Sequence, residues 1–125
     1  MKIKLKKGVA TIIKGKQGCG KTTLAVETAE RHGTFKSISF TEFVHPFSLG
    51  DALADEPDTL IVEEFVLNSR DLEKLKSIIV CDRVRINQKY KEPREVSTPN
   101  FIFCTGQKEP FNLKTASRRF KVVEI

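Results

Sequence analysis

The residues best suited to chemistry form one stretch near the amino terminus, Gly15-Lys16-Gln17-Gly18-Cys19-Gly20-Lys21-Thr22. Its spacing fits G-x-x-x-x-G-K-[ST], in which the glycines let successive main-chain N–H groups face an anion. In this pattern the lysine reaches the β- and γ-phosphates of a nucleotide, and the following hydroxyl ligates Mg²⁺. The stretch therefore predicts a phosphate-binding P-loop in which Lys21 contacts ATP and Thr22 contacts the metal ion.

The flanking sequence predicts the two elements that such a loop requires. An apolar run at residues 9–13 is typical of a buried parallel strand. Apolar positions then recur at helical spacing from Thr23 to His32, and Gly33 ends the pattern. In a chain this short, a glycine-rich turn would match the P-loop pattern by chance in roughly one of a few hundred sequences. The predicted ATP-binding residues are Gly15, Lys16, Gln17, Gly18, Cys19, Gly20, Lys21, Thr22 and Thr23.

Two adjacent carboxylates follow a second apolar run, at residues 59–62, about forty residues downstream of the P-loop. Ligands of open α/β sheets bind at the carboxyl ends of the strands, where these acids would lie. We interpret the pair as a Walker B element. Glu63 is predicted to hold Mg²⁺ through its water shell, and Glu64 to orient and deprotonate the attacking water. Paired acids often only solvate a strand end, but their distance from the P-loop favours the catalytic interpretation.

Length and composition narrow the class of protein. The chain has 125 residues, of which 39% are hydrophobic and 30% charged, and this predicts a single globular domain over residues 1–125. No apolar run approaches the ~20 residues that span a membrane, and the basic start lacks the apolar segment of a signal peptide. Three scattered cysteines show neither zinc spacing nor a disulfide pattern, which predicts a reducing cytoplasm. A net charge of +6 permits a nucleic-acid partner without establishing one.

The remaining segments predict an alternation of strands and helices. Lysines alternate with Ile3 and Leu5 over residues 1–8, which suggests an edge strand with one buried side. A helix is expected from Asn68 or Ser69 to about Ile79. Other predictions are strands at 35–40, 101–104 and 120–125, and turns with a brief helix at 41–56.

Residues 83–96 predict a basic β-hairpin. Val84 and Ile86 alternate with polar residues, the pattern returns after a polar interval, and the tip falls near residues 88–90. Such a hairpin on its own is more often a solvated edge than a nucleic-acid reader. Its basic residues are Arg83, Arg85, Lys89, Lys91 and Arg94.

Residues 84–91, followed by Ser97-Thr98-Pro99 and an apolar strand, resemble motifs B′ and C of the superfamily three helicases. These are replicative helicases of parvoviruses, papillomaviruses and many phages and plasmids. With Glu63-Glu64 and the segment 117–120, the resemblance covers nearly the whole chain. It implies an α/β P-loop NTPase of the AAA+ type, a three-layer sandwich. Its core is a five-stranded parallel sheet of order 5-1-4-3-2 with an inserted β-hairpin. The family usually assembles as a ring, commonly a hexamer, around DNA.

The resemblance also implies roles for individual residues. Lys89 and Tyr90 correspond to the hairpin tip that touches single-stranded DNA, with Arg85 and Lys91 beside them, and Arg118 corresponds to the arginine finger that enters a neighbour's site. Gln107 stands where the family usually has an asparagine that positions the attacking water. A longer, more mobile amide at that position is expected to affect the rate of hydrolysis rather than nucleotide binding.

A second departure from the family concerns the start of the chain. Members normally carry an origin-binding, primase or collar domain ahead of the core, whereas eight residues precede the first predicted core strand here. Ring assembly is therefore expected to depend on the ATPase faces alone or on a partner.

Three functions stay open at this stage. The leading prediction is an ATP-hydrolysing helicase or translocase core that acts on single-stranded DNA. The second is a slow or non-catalytic ATP-dependent switch or loader that recruits another replication protein, which Gln107 favours. The third is a small-molecule kinase, although the sequence shows no obvious arginine-bearing lid.

Overall fold

A computed structural model describes residues 2–66, 69–106 and 119–125, with the backbone alone for residues 69–74. The described elements alternate along the chain as strands and helices. They are β1 (Ala10–Lys14), α1 (Lys21–Arg31), β2 (Phe35–Ser39), α2 (Phe40–Phe43), α3 (Pro46–Leu53), β3 (Thr59–Glu63), α4 (Ser69–Val80), β4 (Arg83–Ile86), β5 (Arg94–Ser97), β6 (Asn100–Thr105) and β7 (Phe120–Glu124).

Five of the strands form one parallel sheet in the order β2-β3-β6-β1-β7. If the five strands of this sheet are numbered 1 to 5 along the chain, their order read from β7 is 5-1-4-3-2. This is the order that the family resemblance implies. β6 therefore lies between β1 and β3. This places the end of β1 and the end of β3 on the same edge, one strand apart, and brings the predicted P-loop towards the two carboxylates.

The sheet is buried on both faces because its central strands are apolar at nearly every position. Successive residues of a strand point to opposite faces, and the packing follows this period of two. Ile12 and Phe103 contribute to a cluster with residues of α3, α4 and the hairpin. Ile13 and Ile102 contribute to a second cluster that contains Ala25 of α1. The domain therefore has three layers, with α1 on one side of the sheet and α2, α3, α4 and the hairpin on the other.

The hairpin predicted at residues 83–96 is confirmed. β4 and β5 form a separate antiparallel pair, with Val84 opposite Val96. Lys91 donates its main-chain N–H to the carbonyl of Gln88 over 3.1 Å, so the chain reverses at the predicted tip. Ile86 and Val96 are buried, and they anchor the base of the hairpin in the core.

Two predictions about local structure are wrong. Residues 2–8 form no strand of the sheet. Lys6 makes only an isolated bridge with Val9, although Ile3 is buried as expected. The physical reason is that β7 already pairs with the free side of β1 and leaves no partner there for a further strand. The segment 41–56 contains most of two helices, α2 and α3, rather than one brief helix among turns.

No helix in the described part of the chain is long and apolar enough to cross a membrane. The segment that contains Gln107 and Arg118 lies outside the described residues.

Candidate functional site

The glycine-rich stretch forms a tight loop, residues 15–20, between the end of β1 and the start of α1. Gly18 and Gly20 have positive φ angles of 79° and 95°, a conformation that residues with a side chain rarely adopt. The N–H of Gly15 donates to the carbonyl of Thr105 over 3.1 Å, which ties the loop to the end of β6. The N-cap residue of α1 is Gly20, and no described side chain caps this end of the helix. The first N–H groups of the helix therefore lack the side-chain acceptor that a capping residue supplies.

Lys21 folds back over this loop. Its Nζ donates to the carbonyl of Gly15 over 2.8 Å and to that of Lys16 over 2.9 Å. These two bonds hold the ammonium group at the mouth of the loop, where the loop amides and the helix N-terminus also favour negative charge.

The loop forms one wall of an open cleft of about 670 Å³ at the carboxyl edge of the sheet. This volume is in the range of pockets that hold small ligands and cofactors. The cleft brings together eight of the predicted site residues, which are Gln17, Gly18, Gly20, Lys21, Thr22, Thr23, Glu63 and Glu64. Gly15, Lys16 and Cys19 belong to the same loop but do not line the cleft.

The two carboxylates differ in their surroundings. Glu63 is the last residue of β3 and half-buried, and its Oε1 is buried with no hydrogen-bond partner among the described residues. A buried acceptor left unpaired costs about 1–3 kcal/mol, and more when it is charged, so this oxygen favours a cation or a donor from a ligand. Glu64 is exposed and has a positive φ of 56°. Such a conformation costs of order 1 kcal/mol in a residue other than glycine and clusters at functional sites.

A turn at the end of β3 separates the two acids. Phe65 donates its N–H to the carbonyl of Cys104 over 2.9 Å, and its ring is buried in the core. The chain therefore bends sharply after Glu63, which leaves Glu63 at the sheet edge and Glu64 out in the solvent.

Sequence reasoning missed three residues that line the cleft, namely Ser37, Cys104 and Gly106. Cys104 is 1% exposed, and its burial and the nearby Glu63 carboxylate raise the pKa of its thiol to about 12. In the sequence Cys104 is only one member of an apolar strand. The pairing of β6 with β3, which brings it to Glu63, is a tertiary fact.

The basic residues of the hairpin divide into two groups. Arg83 donates to the carbonyl of Glu95 over 3.0 Å, and Arg94 donates to the carbonyl of Ala54 over 2.7 Å, so both support the local structure. The basic side chains predicted to bind DNA are exposed as well. They are Arg85, Lys89 and Lys91.

Tyr90 is the most conspicuous residue of the hairpin tip. Its side chain is 95% exposed, and its φ of 64° is unusual for a residue other than glycine. The ammonium of Lys89 lies 5.6 Å from the centroid of its ring, within the range of a cation–π contact. An aromatic ring exposed to water can stack on a base, and the cation beside it can pair with a phosphate.

The hairpin tip is attached to α3. Gln88 donates its Nε2 to Oδ1 of Asp51 over 3.1 Å. The main-chain carbonyl of Asn87 lies against Gly50 so closely that no Cβ could be accommodated there. These contacts give the exposed tip a defined position.

Arg119, the neighbour of Arg118, lies far from the cleft along the sheet. Its carbonyl accepts the N–H of Ala10 over 2.8 Å, which places its main chain at the amino end of β1. The glycine-rich loop follows the other end of this five-residue strand, roughly 16 Å away at the usual rise per residue.

Three solved structures show the similarity of the fold. A C-terminal region of NrS-1 (residues 305–718) matches with a TM-score of 0.75 and 25% identity over 94% of this chain and 30% of that one. An A form of the NrS-1 C-terminal region matches at 0.69 and 28% over 98% of this chain and 30% of that one. The JCV helicase, bound to a small-molecule ligand, matches at 0.67 and 20% over 97% of this chain and 36% of that one.

These likenesses show a helicase-like α/β fold. The chain spans only about a third of the length of the solved chains that it matches. No curated protein matches it. The model of one protein family, DUF5906, described as a family of unknown function, matches residues 13–119, which is most of the chain. The chain therefore belongs to the DUF5906 family.

Proposed function

We propose that this chain is the ATP-hydrolysing core of a helicase or translocase that acts on single-stranded DNA, an AAA+-type P-loop ATPase related to the superfamily three helicases. The observation that carries the proposal is the cleft itself. A glycine-rich loop with Lys21 at its mouth faces Glu63 and Glu64 across the carboxyl edge of a parallel sheet. An ammonium group that faces two carboxylates in this way suits the binding and hydrolysis of a phosphoanhydride.

Each side chain then has a role that its position supports. The amides of residues 15–20 and the N-terminus of α1 bind the phosphates, and Lys21 exchanges its two carbonyl acceptors for phosphate oxygens. Glu64, exposed in the cleft, accepts the proton of the attacking water.

Mg²⁺ fits the donor set of the same cleft. The hydroxyl of Thr22 and the carboxylate of Glu63, whose Oε1 has no partner in the described chain, are oxygen ligands of the kind that Mg²⁺ prefers. When bound, the ion neutralises charge on the phosphates. Few protein ligands are needed, since Mg²⁺ keeps several waters and binds the phosphates as well.

The hairpin supplies the proposed contact with DNA. Tyr90 offers an exposed ring for stacking on a base, and Lys89, Arg85 and Lys91 offer charge for the phosphates. The similarity of the fold to that of the JCV helicase is consistent with a helicase-type function.

In this proposal, a second copy of the chain completes the site. Arg118 supplies an arginine finger to a neighbour in a ring, as a hexamer, and Gln107 orients the attacking water. The main chain of Arg119 lies at the amino end of β1, away from the cleft. This position supports a role for the neighbouring Arg118 in the site of another subunit rather than in its own. The proposed setting is the cytoplasm, with another replication protein as a further partner.

Steady-state ATP hydrolysis, measured with and without single-stranded DNA over a range of protein concentrations, tests the proposal. A motor of this kind shows DNA stimulation and a rate per subunit that rises with concentration. Binding with negligible turnover would instead indicate a switch or loader, and phosphate transfer to a small acceptor would indicate a kinase.

Lys21→Ala tests the nucleotide site directly. Loss of the ammonium group at the mouth of the loop is expected to weaken ATP binding roughly 100-fold, because charge-assisted hydrogen bonds to phosphate are lost. Lys121 is an exposed lysine of β7, so Lys121→Ala serves as the charge-matched control. This variant should bind ATP as the wild type does. Equal ATP affinity of the Lys21→Ala variant and the wild type in a titration would remove the basis of the proposal.

A further inference from the structure

The positive charge of the chain is concentrated towards its amino-terminal end. Residues 1–26 contain seven lysines and no acidic residue, whereas residues 27–125 contain fifteen basic and sixteen acidic residues. The net charge of +6 therefore comes entirely from residues 1–26. Three of the seven lysines lie in or beside the glycine-rich loop. The other four belong to residues 2–8, the lysine segment, and are Lys2, Lys4, Lys6 and Lys7.

The lysine segment is anchored to the domain while its charges are exposed. Ile3 is 3% exposed and belongs to the same apolar cluster as Ala25 and Ala29 of α1. Nη2 of Arg31 donates to the carbonyl of Ile3 over 3.4 Å. All four lysines are exposed, and their side chains make no hydrogen bond or ion pair with any residue that the structure describes. A partner that binds here needs to order little more than the lysine side chains, because the main chain is already in place.

The lysine segment meets the base of the hairpin. Lys7 and Gly8 line a small cavity of about 150 Å³ together with Asp82 and Thr98, which directly flank β4 and β5. Lys89 at the hairpin tip is seven residues beyond Asp82, so the tip lies at most about 25 Å from the base. The lysine segment is therefore beside the hairpin but separate from the tip proposed to bind single-stranded DNA.

The residue types of the segment suit a phosphate backbone rather than bases. Residues 2–8 contain no aromatic side chain on which a base could stack, whereas the hairpin tip offers Tyr90. Lysines bind DNA through their charge and the release of counterions, so they favour the polyanion with the higher charge density. Duplex DNA carries one charge per about 1.7 Å of its axis, twice the density of one of its strands.

We propose that the lysine segment is a second DNA contact, which binds the phosphate backbone of duplex DNA while the hairpin tip holds the adjoining single strand. The inference rests on the proposed function for the single strand and adds the duplex part of the substrate to it. The substrate class is then a junction between duplex and single-stranded DNA.

The competing explanation is that the four lysines only keep this face of the domain solvated. Under that explanation their removal changes DNA binding no more than the removal of any other exposed lysine. Lys121 of β7 is exposed and lies outside both the lysine segment and the hairpin, so it provides the matched control.

The experiment measures binding by fluorescence anisotropy, over a range of salt concentrations, to a short blunt duplex and to a single strand of equal length. The variants are Lys4→Gln, Lys121→Gln and a fourfold variant with glutamine at positions 2, 4, 6 and 7. Lys4→Gln is expected to reduce the log–log salt dependence of duplex binding by ~0.9, and the fourfold variant by up to ~3.6. The fourfold variant should bind the duplex about tenfold or more weakly and the single strand within about twofold of the wild type. Lys121→Gln should bind both as the wild type does.

A junction with a single-stranded tail of about ten nucleotides, long enough to reach the tip at 3.4 Å per nucleotide, joins the two contacts. Both the fourfold variant and Tyr90→Ala should weaken binding of this junction, whereas only the fourfold variant should affect the blunt duplex. Thermal unfolding of each variant confirms that the fold is intact, which is expected because the substituted side chains are exposed.

Duplex affinity and salt dependence equal to those of the wild type in the fourfold variant would overturn the inference. Equal losses for duplex and single strand, or an equal loss in Lys4→Gln and Lys121→Gln, would overturn it as well. The proposed function is judged separately by Lys21→Ala and Tyr90→Ala. If these variants lose ATP binding and single-strand binding, the proposed function stands even when the lysine segment proves to be only a solvated face.

Discussion

The cleft at the carboxyl edge of the sheet and the hairpin tip are held in position in different ways. The cleft is formed at the ends of β1, β3 and β6, whose residues are buried on both faces of the sheet, so the strands that lead into it are held by the core. The tip lies outside that sheet, and it is held by the buried base of the hairpin and by polar contacts such as Gln88 with Asp51.

This difference predicts how substitutions act in each region. In the cleft, Lys21 and Glu63 line one partly enclosed space, so the effects of substituting them are expected to be large and coupled. At the tip, Tyr90 is almost fully in water. Its contribution and that of its neighbours are expected to be moderate, nearly additive and dependent on salt.

The largest expected effect tests whether one copy of the cleft is complete. Arg118→Ala should bind ATP normally but hydrolyse it ~10³- to 10⁵-fold more slowly, the range for an arginine supplied by a neighbour. Mixing Arg118→Ala with Lys21→Ala should restore part of the activity, because each variant contributes an intact half-site. Arg119→Ala in the same mixing assay is the matched control.

Hydrolysis that is independent of protein concentration, together with mixtures that never complement, would show that the cleft does not depend on a second subunit.

The next effect separates the two acids of the cleft. Glu64→Gln should bind ATP as the wild type does and lose ~10²- to 10⁴-fold in turnover, because an amide cannot accept the proton of the attacking water. Glu63→Gln should instead weaken Mg²⁺-dependent ATP binding roughly tenfold, since a charged ligand of the metal is lost. ATP titrations at several Mg²⁺ concentrations and single-turnover hydrolysis distinguish the two. The reverse pattern would show that the roles of Glu63 and Glu64 are exchanged.

A moderate effect on DNA binding is expected at the hairpin tip. Tyr90→Ala should weaken binding of single-stranded DNA by ~1–3 kcal/mol with little dependence on sequence, the usual value of a base stacked on an aromatic ring. Tyr90→Phe keeps the ring and should bind almost as the wild type does. Fluorescence anisotropy with a labelled oligonucleotide measures both.

Lys89→Ala completes the test at the tip. It should reduce the log–log salt dependence of DNA binding by ~0.7 for each lost phosphate contact, and it should leave ATP affinity without DNA unchanged. Lys121 is exposed and lies outside the hairpin, so Lys121→Ala is the control. Unaltered DNA binding in both Tyr90→Ala and Lys89→Ala would make the hairpin a structural element.

Much of the cleft follows from local sequence. The spacing of Gly15, Gly20 and Lys21 predicts a loop because only glycine readily adopts positive φ, and such a loop needs no distant partner to be recognised. The apolar run that ends at Glu63 predicts a buried strand. The structure confirms the positions of both elements and of the hairpin that follows α4.

The tertiary structure alone decided which of these local features meet. The helices of segment 41–56 and the absence of a strand at residues 2–8 depend on packing and on pairing with β1, which no local pattern reports. Cys104 comes to lie beside Glu63 only because β6 pairs with β3. The sequence by itself thus determined the loop, the acids and the hairpin, since backbone preference and hydrophobic period act over a few residues. Their assembly into one cleft depended on strand order, which is set by contacts between residues far apart in the chain.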